Sequence, residues 1–270
     1  MTTPEPGRVF NRIPSPPSES ARYSVRRAGI PRGVDRVETH WAITPDFPLD
    51  QLDEGACVGF GISAELSADP VMLPTGQPFA FKLYRLAQAQ DRAMGLNFPE
   101  GATVLGGLRA AREIGQIRGF AWAQTPDQLR DAVLSHGSVV VGSDWTVGMD
   151  RLTPEFLARP TGAVRGGHCW TIIGYVPRFR YRDTDGVVKT AEAYEAINSW
   201  GPGYGRQGRF FVLVDEANDL IFGRNGEAAI VTDTPIVPDP PVDPPAPAPS
   251  AVPTWLAVIL AFIERIRRRS

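Results

Sequence analysis

The sequence predicts an α+β protein, and two patterns in its 270 residues carry that prediction. In the first half, apolar residues recur every three or four positions, the period of one helix face. In the second half, short runs of valine, isoleucine and aromatic residues are separated by turn residues, the pattern of strands. Helices and strands segregated in this way make an α+β arrangement rather than alternating βαβ units.

Taken in order, residues 1–32 are rich in Pro, Ser and Arg with little apolar periodicity. They read as an arm that is disordered or draped over the surface, with a plain flexible leader and a short inhibitory segment over a cleft both open. Residues 33–234 read as one domain. Its first twenty residues are extended, with turns at Pro45 and Pro48. In EGACVGFGISAEL, Val58, Ile62 and Leu66 share one face and Ala56, Phe60 and Ala64 its neighbour, so a helix runs from about Cys57 to about Ala68. Gly59 and Gly61 lower its intrinsic propensity, which implies close packing against another element.

Further helices are expected over Phe79–Met94, over Leu105–Ile114 with Gly115 as its C-terminal stop, and over Thr125–His136 with Pro126 in the first turn. Strands are expected at Ser138–Val141, His168–Val176, Ala191–Ile197, Arg209–Val214 and Ala228–Val231, with Asp185-Gly186 as a hairpin turn. Nine of the nineteen residues in 235–253 are proline, which makes an extended linker. Residues 254–270 carry an apolar stretch, Trp255 to Ile263, too short to span a bilayer, which takes about 20 residues. With Arg265, Arg267, Arg268 and Arg269 beside it, this tail suits a membrane surface or a docking site on a protein partner equally well.

Composition narrows the function. A formal net charge of −2 gives no electrostatic case for nucleic acid. Arginine outnumbers lysine, present only as Lys82 and Lys189, a bias best explained by genome composition. The chain has two cysteines and three histidines and no CxxC pair, so neither a disulfide scaffold nor a zinc site is expected. No metal and no cofactor is expected at all. The N-terminus has no apolar signal-type run, so the expected compartment is the cytoplasm, with membrane association possible only through the tail.

Chemistry enters with Cys57. A thiol at a helix start sits in the positive end of the macrodipole beside unpaired N–H groups, which favours thiolate. Alone, a cysteine is more often a small buried hydrophobe. His168 opening HCWTIIGYV and Asn198 opening NSWGPGYG supply an imidazole and an amide, the groups that serve a thiol nucleophile as base and orienter. His40, beside Trp41, reads as core packing, and His136 as a helix C-terminal residue favoured by the dipole.

With those motifs in view, the chain resembles the papain family of cysteine peptidases, in its compact bacterial or phage form. Gln51 stands six residues before Cys57, as the family's oxyanion-hole glutamine does. His168 and the apolar strand ending in Gly174-Tyr175 match the family's histidine motif, and Asn198-Ser199-Trp200-Gly201 its asparagine motif. The resemblance covers about residues 33–231. It implies a two-lobed fold with the nucleophile helix in a helical N-terminal lobe, an antiparallel β C-terminal lobe and a cleft between them. It implies a peptide or protein substrate, with Cys57 as nucleophile, His168 as base, Asn198 orienting the imidazole, Trp200 shielding that contact and Gln51 in the oxyanion hole. It further implies that Gly101 and Ala102 bind the peptide backbone, and that Val104 and Cys169 line an apolar pocket for the second residue on the acyl side. Glu54 replaces the family's structural cysteine and Val58 its tryptophan, and Cys169 stands where alanine is common. A thiol peptidase is the leading expectation. A non-catalytic binding module of the same fold and an enzyme cutting cell-wall peptides are the alternatives.

Overall fold

The computed structural model describes residues 8–232. The Pro-rich linker and the Arg-flanked tail read from the sequence lie outside the described residues. Among the described residues no helix is long and apolar enough to cross a membrane.

The chain enters through β1 (Arg12–Ile13), a short helical turn α1 (Pro17–Ser20) and β2 (Thr39–His40), then builds α2 (Cys57–Ser67) and α3 (Gln77–Ala93). Next come β3 (Ala102–Thr103), α4 (Val104–Glu113), β4 (Gly119–Trp122), α5 (Pro126–Ser135) and β5 (Val139–Thr146). The last part is β6 (Val164–Arg182), β7 (Val188–Ile197), β8 (Arg209–Leu213), α6 (Val214–Asn218) and β9 (Glu227–Thr232). The main sheet has the strand order β4-β9-β5-β6-β7-β8, with β2 added against β6. All its pairings are antiparallel. The fold is α+β, as the sequence predicts.

Helix α2 is the hub. All eleven of its residues are buried, the pattern of a helix enclosed on every side rather than laid on a surface. Its two glycines do what their propensity cost implies. A side chain at Gly59 would strike the Ala80 carbonyl on α3, and one at Gly61 would come within 2.5 Å of the Cys169 Sγ on β6. The amphipathic helices α3 and α4 close the same core through Leu83, Tyr84, Ala87, Leu105 and Leu108. Each buried leucine of this set contributes roughly 1.5–3 kcal/mol. On the other face of the sheet, α5 covers a second core built from Trp145, Trp170, Ile172, Tyr194 and Phe210.

Helix ends follow from local chemistry. Thr103 and Thr125 cap α4 and α5 by accepting from the backbone N–H of Gly106 and Gln128. Gly115, at φ +76°, takes the left-handed turn that stops α4. Strand lengths depart more. β6 runs to 19 residues, because two irregularities in its pairing with β7 let one strand serve both the sheet and a projecting hairpin. β4 is a strand that the sequence pattern does not mark, since GFAW is buried on both sides and has no alternation.

His40 corrects the reading of core packing. Its side chain is 47% exposed and its ring nitrogens meet Glu195 at 2.6 Å and Glu38 at 3.0 Å. On an edge strand, an ion pair satisfies an imidazole that the core has no room to hold. His136 caps α5 and shares a 2.8 Å hydrogen bond with the Val231 carbonyl.

Candidate active site

The N-cap of α2, Ala56, offers no side chain to the helix start, so Cys57 sits among free backbone donors. The backbone N–H groups of Cys169, Asn11 and Val58 lie near its Sγ and favour the thiolate. The first of these is the peptide that joins His168 to Cys169, so the thiol stands at the root of the imidazole. Strand alternation then divides the pair. Cys169 faces α2, while His168 turns toward Trp145 and Trp200. Both cysteines are buried and free.

His168 Nε2 meets Asn198 Oδ1 at 2.8 Å, and the same oxygen accepts the Ser199 N–H at 2.8 Å. The arrangement makes Nε2 the protonated nitrogen and leaves Nδ1 as the free base. Nδ1 is buried without a hydrogen-bond partner. Trp145 at 4.9 Å, Trp200 at 5.1 Å and Phe10 at 5.6 Å between ring centroids box the imidazole in. Burial in this box pushes the His168 pKa down to about 4, with the Arg8 charge adding to the fall and the Asn198 hydrogen bond opposing it. Burial also pushes the Cys57 thiol up, offset in part by its backbone donors. In this state both groups are neutral.

Gln51 is fully buried and held by Ser199, whose hydroxyl donates to Gln51 Oε1 at 2.6 Å while its carbonyl accepts the Gln51 N–H at 2.8 Å. The asparagine and glutamine motifs therefore share one anchor. The Gln51 amide nitrogen donates to the Glu54 carbonyl at 2.9 Å and to the Val9 carbonyl at 3.2 Å.

That Val9 belongs to the N-terminal arm, whose residues 8–13 thread the groove beside the thiol. Arg8 pairs with Asp50 at 2.5 Å, Phe10 covers His168, and the Asn11 backbone lies beside the Cys57 thiol. On one side the arm joins β3 as a parallel strand, Arg12 opposite Ala102. On the other side Asn11 bridges Gly167, at the approach to His168. Gly101 and Ala102, expected to hold a peptide backbone, thus hold this chain's own segment, with the Ala102 N–H donating to the Asn11 carbonyl at 3.2 Å.

The pocket beside Val104 and Cys169 corrects a second expectation, because it is not apolar. Arg12 fills it, 3% exposed, with Nη2 at 2.6 Å and Nε at 3.2 Å from Glu227 Oε1 and Nη1 at 2.8 Å from the Asn225 carbonyl. Sequence reasoning misses Arg12, Glu227, Phe10 and Trp145 as neighbours of the site. The one available signal is Glu227 itself, a carboxylate opening the apolar run EAAIV on a strand that has to be buried.

No protein-family model and no curated protein matches the sequence. Solved structures do match it in shape. One is xylellain, a cysteine protease from Xylella fastidiosa, at 15% identity and TM-score 0.55, over 86% of this chain and 98% of that one. Another comes from work on antibody cross-reactivity between the mite allergens Blo t 1 and Der p 1, at 13% identity and TM-score 0.51, over 79% and 75% of the two chains. The chain has the fold of a papain-like cysteine peptidase, two-lobed with α2 facing the sheet.

Proposed function

We propose that the chain is a cysteine-type peptidase that hydrolyses peptide bonds through Cys57 and His168. One observation carries the reading: in a fold of this class, a buried imidazole bonded through Nε2 to Asn198 leaves Nδ1 unpartnered, with a thiol at the peptide bond next along the strand. A neutral imidazole held in one tautomer is a base waiting for a proton, and a thiol is the group that can give it.

In the reaction, the Cys57 proton passes to His168 Nδ1 and the thiolate attacks the substrate carbonyl. Charge develops on the carbonyl oxygen, where the Gln51 amide and the Cys57 backbone N–H donate hydrogen bonds. The imidazolium returns its proton to the leaving amine, giving an acyl-thioester. His168 then deprotonates water, which releases the acid and restores the thiol. Asn198 keeps the ring aligned and Trp200 and Trp145 exclude water that would compete for it.

The arm and a substrate would occupy the same space, so the arm leaves the groove before a peptide enters. Its departure solvates both groups, which lowers the cost of the thiolate–imidazolium pair. The test is a peptide-library digest by the full chain and by Cys57→Ala, with labelling by a thiol-directed epoxide. Cleavage and labelling are expected only with Cys57 in place. Equal cleavage by both chains would remove the reading.

A further inference from the structure

Across the sheet, three residues stand in one row. Gly142 on β5 pairs with Cys169 on β6 and with Glu227 on β9. Paired residues point their side chains to the same face, here the face toward α2. Gly142 has none, so a slot opens between Cys169 and Glu227, whose strands lie about 10 Å apart at two strand spacings. A Cβ at Gly142 would come within 2.5 Å of the Arg12 Nε and 3.0 Å of Val104. The slot is therefore an elongated channel that starts beside the thiol, with Val104 as its wall and a carboxylate at its end.

That carboxylate is fixed independently of the arm's guanidinium. Trp122 donates its indole N–H to Glu227 Oε2 at 3.1 Å, which turns Oε1 into the slot. The Asn225 carbonyl adds a second acceptor. Two acceptors at the end of a narrow channel fit the fork of N–H donors that a guanidinium presents, and an ammonium fits them less well. A buried anion without such a partner is costly, so the channel selects for the cation.

We infer that Glu227 is a specificity-determining residue and that the channel takes an arginine side chain of the substrate, which Arg12 imitates while the arm is in place. The inference rests on the peptidase reading for its catalytic consequence, but the pocket itself is independent of the chemistry. By the resemblance, this channel holds the second residue on the acyl side of the cleaved bond.

Two measurements on the full chain test it separately. In the first, fluorogenic peptides differ only at that second residue, as Arg, Lys, Leu or Phe. Arginine is expected to lead leucine in kcat/KM by about tenfold or more, the worth of a charge-assisted hydrogen bond. Glu227→Gln is expected to shrink that ratio by about tenfold or more. In the second, the Arg12→Ala chain is titrated with Nα-acetyl-arginine amide or Nα-acetyl-leucine amide, and the Trp122 indole N–H resonance is followed. The arginine amide is expected to shift it in a saturable way, the leucine amide is not, and adding Glu227→Gln abolishes the response. No shift with the arginine amide, or an equal one with the leucine amide, overturns the pocket. Leucine peptides cut fastest, at a ratio unchanged by Glu227→Gln, also overturn it and leave the peptidase standing. Saturable arginine amide binding by a chain that cuts no peptide keeps the pocket and removes the peptidase.

Discussion

Two buried polar clusters lie on this sheet, and they spend burial in opposite ways. At Glu227 the carboxylate meets a guanidinium, an indole N–H and the Ser15 backbone N–H, so its charge is compensated in place. At His168 one ring nitrogen is bonded to Asn198 and the other to nothing, and burial, helped by the nearby Arg8 charge, drives its pKa down to about 4. A compensated charge recognises; an uncompensated titratable group is held in a reactive neutral form. The arm serves both clusters, as counter-ion through Arg12 at one and as cover through Phe10 at the other.

Breaking the reactive cluster should have the largest effect. In the proposed mechanism Gln51 donates to the developing oxyanion, so Gln51→Ala should lower kcat/KM by roughly 100- to 1,000-fold, read as kcat rather than KM in steady-state kinetics. Asn198→Ala removes the partner that fixes the imidazole tautomer and tilt, and the misalignment should cost up to about a hundredfold in kcat. Its acid limb should also move in the pH profile, since the ring no longer has its Nε2 partner.

Removing the compensated charge tests the arm. Arg12→Ala should raise the rate of Cys57 alkylation by iodoacetamide about tenfold to a hundredfold, because charge-assisted hydrogen bonds worth roughly 1.5–3 kcal/mol no longer hold the segment down. The labelling of the unsubstituted chain should climb only at alkaline pH, as its raised thiol ionises, whereas in Arg12→Ala it should extend to lower pH. Identical profiles would mean that the arm does not govern access.

The smallest effect sharpens the contrast with a third group. Glu65 on α2 accepts the Val231 N–H at 3.4 Å through one oxygen, while the other has no partner, and burial pushes its carboxyl up to about 8. Its folded pKa lies above the unfolded one, so the folded state holds the extra proton between about pH 4.5 and 8 and stability falls as pH rises through that window. Glu65→Gln should flatten the fall, with a melting temperature at pH 8 higher by about 3 °C or more. His168 acts in the other direction: its depressed pKa removes stability as pH falls from about 6.5 toward 4.

The helices were legible in the sequence because each carries its own signal. The three-to-four period of Val58, Ile62 and Leu66, the capping Thr125 with Pro126, and the stop at Gly115 are all local. The reach of β6, the existence of β4 and the fate of His40 were not legible, because strand ends and edge positions depend on partners distant in the chain. Among the candidate site residues, motif spacing singled out Cys57, His168, Asn198 and Gln51. No spacing relates Arg12 to Glu227, which are 215 positions apart.

The sequence by itself determined the α+β class, the placement of a thiol at a helix start, and the separation of that thiol from its imidazole and amide along the chain. These follow from periodicity and from residue chemistry, which act over a few neighbours. Tertiary structure alone decided that the N-terminal segment lies in the groove, that the pocket beside Val104 ends in a carboxylate, and that His168 is boxed in by Trp145, Trp200 and Phe10. Each of those depends on strand register, and register is set by the packing of a whole sheet rather than by any stretch of it.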